Sequence, residues 1–163
     1  AGATDLLPPA AARTIIANSA AEMAAAVKAE FPAADFLIMP AAVADYRPKR
    51  EASQKIKKHD GPLALELVRT EDILATIAAT RKAEQVIVGF AAETENLETA
   101  ARNKMARKGL DWIVANDVSR QDIGFGTDYN QVTIYGADGS ATELDRMNKL
   151  DVAAAILGRV IPS

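Results

Sequence analysis

Two kinds of apolar segment alternate along this chain. Short runs of consecutive apolar residues, Thr14–Ala17, Asp35–Met39 (DFLIM), Gln85–Gly89 (QVIVG) and Asp111–Ala115 (DWIVA), have the length and composition of strands. DFLIM and QVIVG are apolar enough to lie buried on both faces. Leu63–Val68 alternates and predicts a further strand. Between these runs, apolar residues recur at helical spacing. Met23, Val27 and Phe31 share one face of a helix that Asn18 or Ser19 would cap. Thr70 is placed to cap a helix that begins at Glu71-Asp72, where acids suit the positive helix end, and Ile73, Leu74 and Ile77 give it a core face. A third helix spans about Asn96 to Lys108 and closes at Gly109, and a last one runs from about Met147 to Val160. Val132–Tyr135 and Ala141–Leu144 read as a hairpin turning through Ala137-Asp138-Gly139.

Strands alternating with helices predict an α/β chain with a doubly wound, mainly parallel sheet and a C-terminal β-hairpin. The 163 residues suit one domain over 1–163, with no internal repeat, linker or second domain. Ligands of such sheets gather at the carboxyl ends of the strands. That rule selects four loops: Pro40–Lys58, Thr70–Leu74, Phe90–Thr94 and Asn116–Asn130.

The first of these loops is the richest in chemistry. Pro40 ends the strand, having no N–H for a ladder. Ala41, Ala42 and Ala44 are small enough for a ligand to approach the main chain. Asp45 can meet ribose or a metal, and Lys55, Lys57 and Lys58 can meet phosphates. An ordinary connecting loop with scattered charges has the same look. The stretch KREASQKIKKH, Lys49 to His59, holds one large apolar residue, Ile56, and Arg47-Pro48 and Gly61-Pro62 bracket it. It is expected to act as a flap with those brackets as hinges and Lys55 as its working residue.

Composition narrows the classes. Apolar residues at 49% and charged ones at 25% are those of a globular chain. A net charge of −3 argues against a general nucleic-acid binder. The absence of cysteine removes disulfides and thiolate metal sites and fits a reducing, cytoplasmic compartment. No apolar run is long enough to span a bilayer, and the start AGATDLLPP reads as loop, not as a signal peptide. No G-x-G-x-x-G follows a strand, no Walker A sequence occurs, and no G-x-S-x-G is present. The single histidine, His59, sits among lysines and reads as solvated, and GFG at Gly124–Gly126 is too short to be a phosphate loop alone.

The helix before Gly109 departs from a plain core stripe. Leu97, Ala101, Lys104 and Lys108 fall on one face, flanked by Ala100 and Met105. The two lysines either snorkel past the sheet edge or extend the stripe into a site that holds an anion; periodicity leaves both open.

AAVADYRP, KIKK, VGFAAET, the Lys104/Lys108 pair, ANDVS and GFGTDYN, in this order, resemble phosphopantothenoylcysteine synthetase of the bacterial type, the C-terminal half of a bifunctional coenzyme A biosynthesis flavoprotein. The resemblance runs from about Thr14 to Val160. It implies a Rossmann-like fold and a homodimer. It also implies ligation of cysteine to 4′-phosphopantothenate with CTP through an acyl-cytidylate, with a divalent cation, Mg2+ by expectation but of unknown ligands, and a fused or paired flavin-dependent decarboxylase. Carried over by position, it implies nucleotide contacts at Met39, Pro40, Ala41, Asp45, Lys55, Glu71, Asp72, Ile73, Leu74, Phe90, Lys104 and Lys108, with Lys55 catalytic and Ala42 at the substrate. Where the family often has Pro-Asp, this chain has Glu71-Asp72, whose charge should turn that helix start toward base or ribose and not toward phosphate. The family's first β–α unit, with a glycine-rich loop and an acting asparagine, has no counterpart in this sequence. The chain is therefore expected to be the family's domain without its N-terminal part, and a truncated or non-catalytic nucleotide-binding module is the alternative. A pyridine-nucleotide oxidoreductase is disfavoured by the missing fingerprint.

Overall fold

The computed structural model describes residues 8, 11–50, 52–57, 61–119, 122 and 126–161. The expected opening loop AGATDLLPP, Lys58, His59 and most of the GFG turn lie outside these, apart from Pro8 and Gly126. In chain order the elements are α1 (Ala20–Glu30), a 3-10 turn (Phe31–Ala33), β1 (Phe36–Met39), β2 (Tyr46–Pro48), β3 (Leu67–Arg69), α2 (Ile73–Ala78), β4 (Val86–Glu93), α3 (Leu97–Lys108), β5 (Trp112–Asp117), β6 (Tyr129–Gly136), β7 (Ala141–Asn148) and α4 (Lys149–Val160). They fall into two compact units, Ala1–Ala29 with Ala42–Ile73 and Glu30–Ala41 with Leu74–Ser163.

The larger unit is a mixed five-stranded sheet in the order β1-β4-β5-β6-β7. β1 and β4 run parallel from Phe36↔Val86 to Met39↔Gly89, and β4 and β5 run parallel from Val88↔Trp112 to Glu93↔Asp117. β6 reverses against β5, and β7 reverses against β6, so every strand but β6 points the same way. Side-chain alternation assigns the two faces. Val88 and Val114 pack with Val132, Ile134 and the α4 residues Val152, Ile156 and Val160. The intervening residues, Ile87, Ala91, Ile113 and Ala115, are buried on the opposite face, where Leu74 and Leu110 close over Gly89 and α3 buries Ala101 and Met105. The expected class, an α/β chain with a mainly parallel sheet covered on both sides and ending in a hairpin, is what the structure has.

Several boundaries and pairings differ from expectation, each for a pairing reason. Thr14–Ala17 is not a strand but irregular chain, with Ile16 73% exposed. β1 is half-buried over Phe36–Ile38, not buried on both faces, because it forms the edge of its sheet. β4 continues through Phe90–Glu93, and β5 through Asn116-Asp117, both expected as exit loops, because each strand pairs the other to that point. Leu63–Val68 contributes only β3, and β3 pairs antiparallel with β2 outside the main sheet. α4 starts at Lys149, where the Asn148 side chain accepts from the Asp151 amide at 2.9 Å, and Met147 belongs to β7.

The end of the hairpin is held from both faces. Arg102 of α3 lies over the Tyr135 ring, 4.7 Å from its centroid, and donates to the Gly139 carbonyl. Arg159 of α4 lies 4.8 Å from the Trp112 centroid and donates to Ser140 Oγ. The Ser140 hydroxyl and amide hold the exposed Asp138 carboxyl below its usual range. Also at the amino ends of the parallel strands, the buried Gln85 gives Nε2 to the carbonyls of Phe31 at 2.8 Å and Ala34 at 2.6 Å, while its Oε1 accepts from Lys82 N at 2.9 Å.

Replacing Gln85 with leucine keeps the volume and orphans the Ala34 carbonyl and the Lys82 amide. The expected loss is about 1–3 kcal/mol in a denaturant titration, the cost of buried groups left without partners. An unchanged midpoint would show that water satisfies them.

Candidate functional site

In the smaller unit, pairing chemistry gathers the acids. β2 and β3 oppose Tyr46↔Arg69 and Pro48↔Leu67. The next residue past each end of that ladder is also tied. Thr70 N donates to the Asp45 carbonyl at 2.9 Å, and Thr70 Oγ1 donates to the Ala44 carbonyl. Thr70 is thus spent on the Ala44-Asp45 turn and does not cap α2, which starts two residues later than expected, at Ile73. The consequence is that Asp45 stands across the ribbon from the Thr70-Glu71-Asp72 segment. All three carboxylates are exposed. Lys28 of α1 reaches both oxygens of Glu71, at 2.6 and 2.8 Å. Arg69 stacks 5.9 Å from the Tyr46 centroid, and its guanidinium is held above its usual range, first by its bond with Tyr46 and also by the charge of Asp45.

The expected flap is anchored where it was expected to swing. Arg47-Pro48 lies in β2, so it is not a hinge. Lys49 N donates to the Glu66 carbonyl at 2.9 Å, and its ammonium pairs with the Glu66 carboxylate. Residues 52–57 form no regular element; Lys55 is exposed, and Ile56 is 54% exposed. Ala42 is exposed at the start of this unit's second segment. Ile73 is buried, so its side chain belongs to packing.

In the larger unit, Met39 is buried at the end of β1, and Pro40 and Ala41 emerge exposed at the carboxyl edge. Phe90 lies one residue beyond the last β1–β4 pair, at the same edge, but its ring packs on the α4 side of the sheet. Lys104 and Lys108 are half-buried on α3, along the stripe that buries Ala101 and Met105, and α3 lies on the other face. The helix also runs back toward the amino ends of the strands before Gly109 turns the chain at φ +65° into β5. The structure therefore brings Met39, Pro40, Ala41 and Phe90 to one edge but separates the Phe90 ring from the two lysines. Leu74 is buried over Gly89.

The bonds of Thr70 and the Lys28–Glu71 pair had no sequence signal: one partner lies across an unforeseen ladder, and the other lies 43 residues away. Among the described residues, no group of three or more His, Cys, Asp or Glu could hold a metal ion. Among the described residues, no helix is long and apolar enough to cross a membrane.

A mainly parallel sheet covered by helices on both faces defines an α/β domain, a class in which ligands gather at the carboxyl ends of the strands. The chain belongs to the family of the DNA/pantothenate metabolism flavoprotein C-terminal domain, whose model matches residues 1–162. It is 49% identical over 153 residues to the coenzyme A biosynthesis bifunctional protein CoaBC of Bacillus subtilis (strain 168), covering 94% of this chain but 37% of that protein. The crystal structure of the C-terminal domain of a coenzyme A biosynthesis bifunctional protein CoaBC superposes with a TM-score of 0.80 at 38% identity, over 98% of this chain and 69% of that one. A Cab2 variant in complex with phosphopantothenate-cysteine shares the fold, with a TM-score of 0.52 at 19% identity, over 72% of this chain and 41% of that one.

Thr70→Val should remove the hydroxyl's bond to the Ala44 carbonyl and keep the main-chain bond to Asp45, with little change in side-chain volume. About 0.5–1.5 kcal/mol of local stability is expected to go, read as faster amide exchange at Thr70 while the amides of β4 are unaffected. Equal exchange in both proteins would mean that the hydroxyl does not hold the turn.

Proposed function

We propose that this chain supplies the ligase part of a coenzyme A biosynthesis enzyme, joining cysteine to 4′-phosphopantothenate at the expense of CTP. The observation that carries the reading is the likeness to the CoaBC C-terminal domain, at 38% identity over 98% of this chain. In the first step, a carboxylate oxygen of 4′-phosphopantothenate attacks the α-phosphorus of CTP, and pyrophosphate leaves. In the second, the cysteine amine attacks the acyl carbon, and CMP leaves. Mg2+ would arrive on the triphosphate as part of the substrate.

The named residues divide by what they can offer. Lys55, exposed on its segment, would neutralise the charge that builds at the α-phosphate. Lys104 and Lys108 would pair with phosphate oxygens. Asp45, Glu71 and Asp72 would address ribose or base. Met39, Pro40, Ala41, Ile73, Leu74 and Phe90 would offer main chain, with Ala42 small enough to admit the pantothenate arm. The protein is proposed to be a homodimer and to work with a flavin-dependent decarboxylase, in the same polypeptide or beside it.

A single-turnover assay with CTP and 4′-phosphopantothenate tests the chemistry. Lys55→Gln should slow acyl-cytidylate formation by roughly 10²-fold, the scale of losing one preorganised donor, and Lys58→Gln should slow it far less. Equal rates for the two variants would remove Lys55 from the mechanism, and no CTP-dependent intermediate in the unaltered protein would remove the ligase reading. Light scattering at micromolar concentration should return twice the 17.3 kDa chain mass; the mass of a single chain would reject the dimer.

A further inference from the structure

The β2–β3 ribbon is a sheet of its own in the smaller unit, two strands of three residues each. So short a pair is marginal in water unless one of its faces is covered. Its pairs Tyr46↔Arg69 and Pro48↔Leu67 share one face, and the stack of Arg69 on Tyr46 lies there. The Lys49 amide donates to the Glu66 carbonyl and carries the pairing further, so alternation back along the chain sets Leu65, and then Leu63, beside Leu67. Val68, on the other face, is half-buried. The leucine face is open: Leu63 is 56% exposed, Leu65 61%, Leu67 53% and Tyr46 51%. These four residues leave roughly 400 Å² of mostly apolar surface in water, the scale that marks an interaction site.

We propose that this leucine face is where two copies of the chain meet, ribbon against ribbon. The inference rests on the homodimer reading above and names its surface. The four residues alone would bury roughly 800 Å² between two copies, and Pro48 and the ribbon backbone would bring the total toward the ~1,200 Å² of the smaller specific interfaces. A two-fold contact presents the same patch on both sides. Three leucines in a row on one face, with no charge between them, require an equally apolar partner, and the same stripe of a second copy supplies it. The edge of the main sheet is guarded by comparison. β7 ends that sheet, but Asn130↔Met147 and Val132↔Leu144 leave Asp145 and Arg146 together opposite Gln131, which is a bulge. Glu143, Asp145 and Arg146 are all exposed along it. Bulges and charges of this kind keep a strand edge from pairing with another chain. Association would also steady the ribbon, from which Asp45 and the segment of Lys55 both extend.

Sedimentation across a concentration series reads the contact. Leu65→Lys should weaken self-association by roughly 100-fold, because a two-fold contact would bury two unpaired ammonium groups at once. Leu65→Ala should weaken it by roughly 10-fold, the scale of truncating an anchor at the centre of an interface. Leu157→Lys, on the exposed side of α4, and Glu143→Lys, on β7, should leave it unchanged. In the unaltered protein, the amides from Leu65 to Arg69 should exchange more slowly at high concentration than at low. That measurement needs no variant, so it decides the matter even if Leu65→Lys does not fold. A dimer that survives Leu65→Lys, a dimer broken instead by Leu157→Lys or Glu143→Lys, or ribbon exchange that is independent of concentration in a protein that does dimerise overturns the proposal and leaves the homodimer reading in place. A single-chain mass at every concentration brings down that reading, and the ribbon contact with it.

Discussion

The larger unit depends on β4 carrying no side chain at residue 89. A Cβ there would lie 2.6 Å from Leu110 Cδ1 and 3.4 Å from Leu74 Cδ1. Both leucines are buried, so neither can give way without disturbing its own packing. Gly89 thus lets the residue after the α3 turn and the second residue of α2 close directly on the strand's backbone. The same residue is the last that β4 pairs with β1, opposite Met39. Tight packing and the end of the edge strand therefore coincide, and Pro40 turns the chain away from the sheet where β4 goes on alone beside β5.

The centre of this fold was legible because burial on both faces writes itself as continuous apolar sequence. VIVG and WIVA needed no further evidence to be strands, and Gly109 marked the close of α3 because an αL residue there costs glycine nothing. Pairing, in contrast, leaves no mark on composition. β4 reaches Glu93 and β5 reaches Asp117 because each supplies the other's ladder, while Thr14–Ala17 has strand composition but does not form a strand. β2 and β3 were hidden for the same reason. They are three residues each and largely exposed, and Pro48 can stand at the end of β2 because so short a ribbon is all edge.

The sequence let the candidate residues be named one by one, but not how the structure groups them. Reading Thr70 as a helix cap missed its bonds to Ala44 and Asp45, and those bonds are what place Asp45 opposite Glu71 and Asp72. Reading Phe90 as a loop residue missed that it stands in β4, where alternation sends its ring to the α4 face. Parity along a strand decides that outcome, and parity is known only once the strand's extent is known.

This parity has a consequence for how a ligand could be read. Met39, Ile73 and Leu74 are buried, and Phe90 is half-buried against the α4-side core. A small molecule meeting these positions would meet their amides and carbonyls, which carry no record of residue type beyond the small size that allows approach. Under the proposed nucleotide reading, the side chains still accessible are Asp45, Glu71, Asp72 and Lys55, which are exposed, and Lys104 and Lys108, which are half-buried. Every one of these is charged. On the proposed reading, discrimination between bases would depend on hydrogen bonds to the main chain, while affinity for the phosphates would depend on the balance of surface charge.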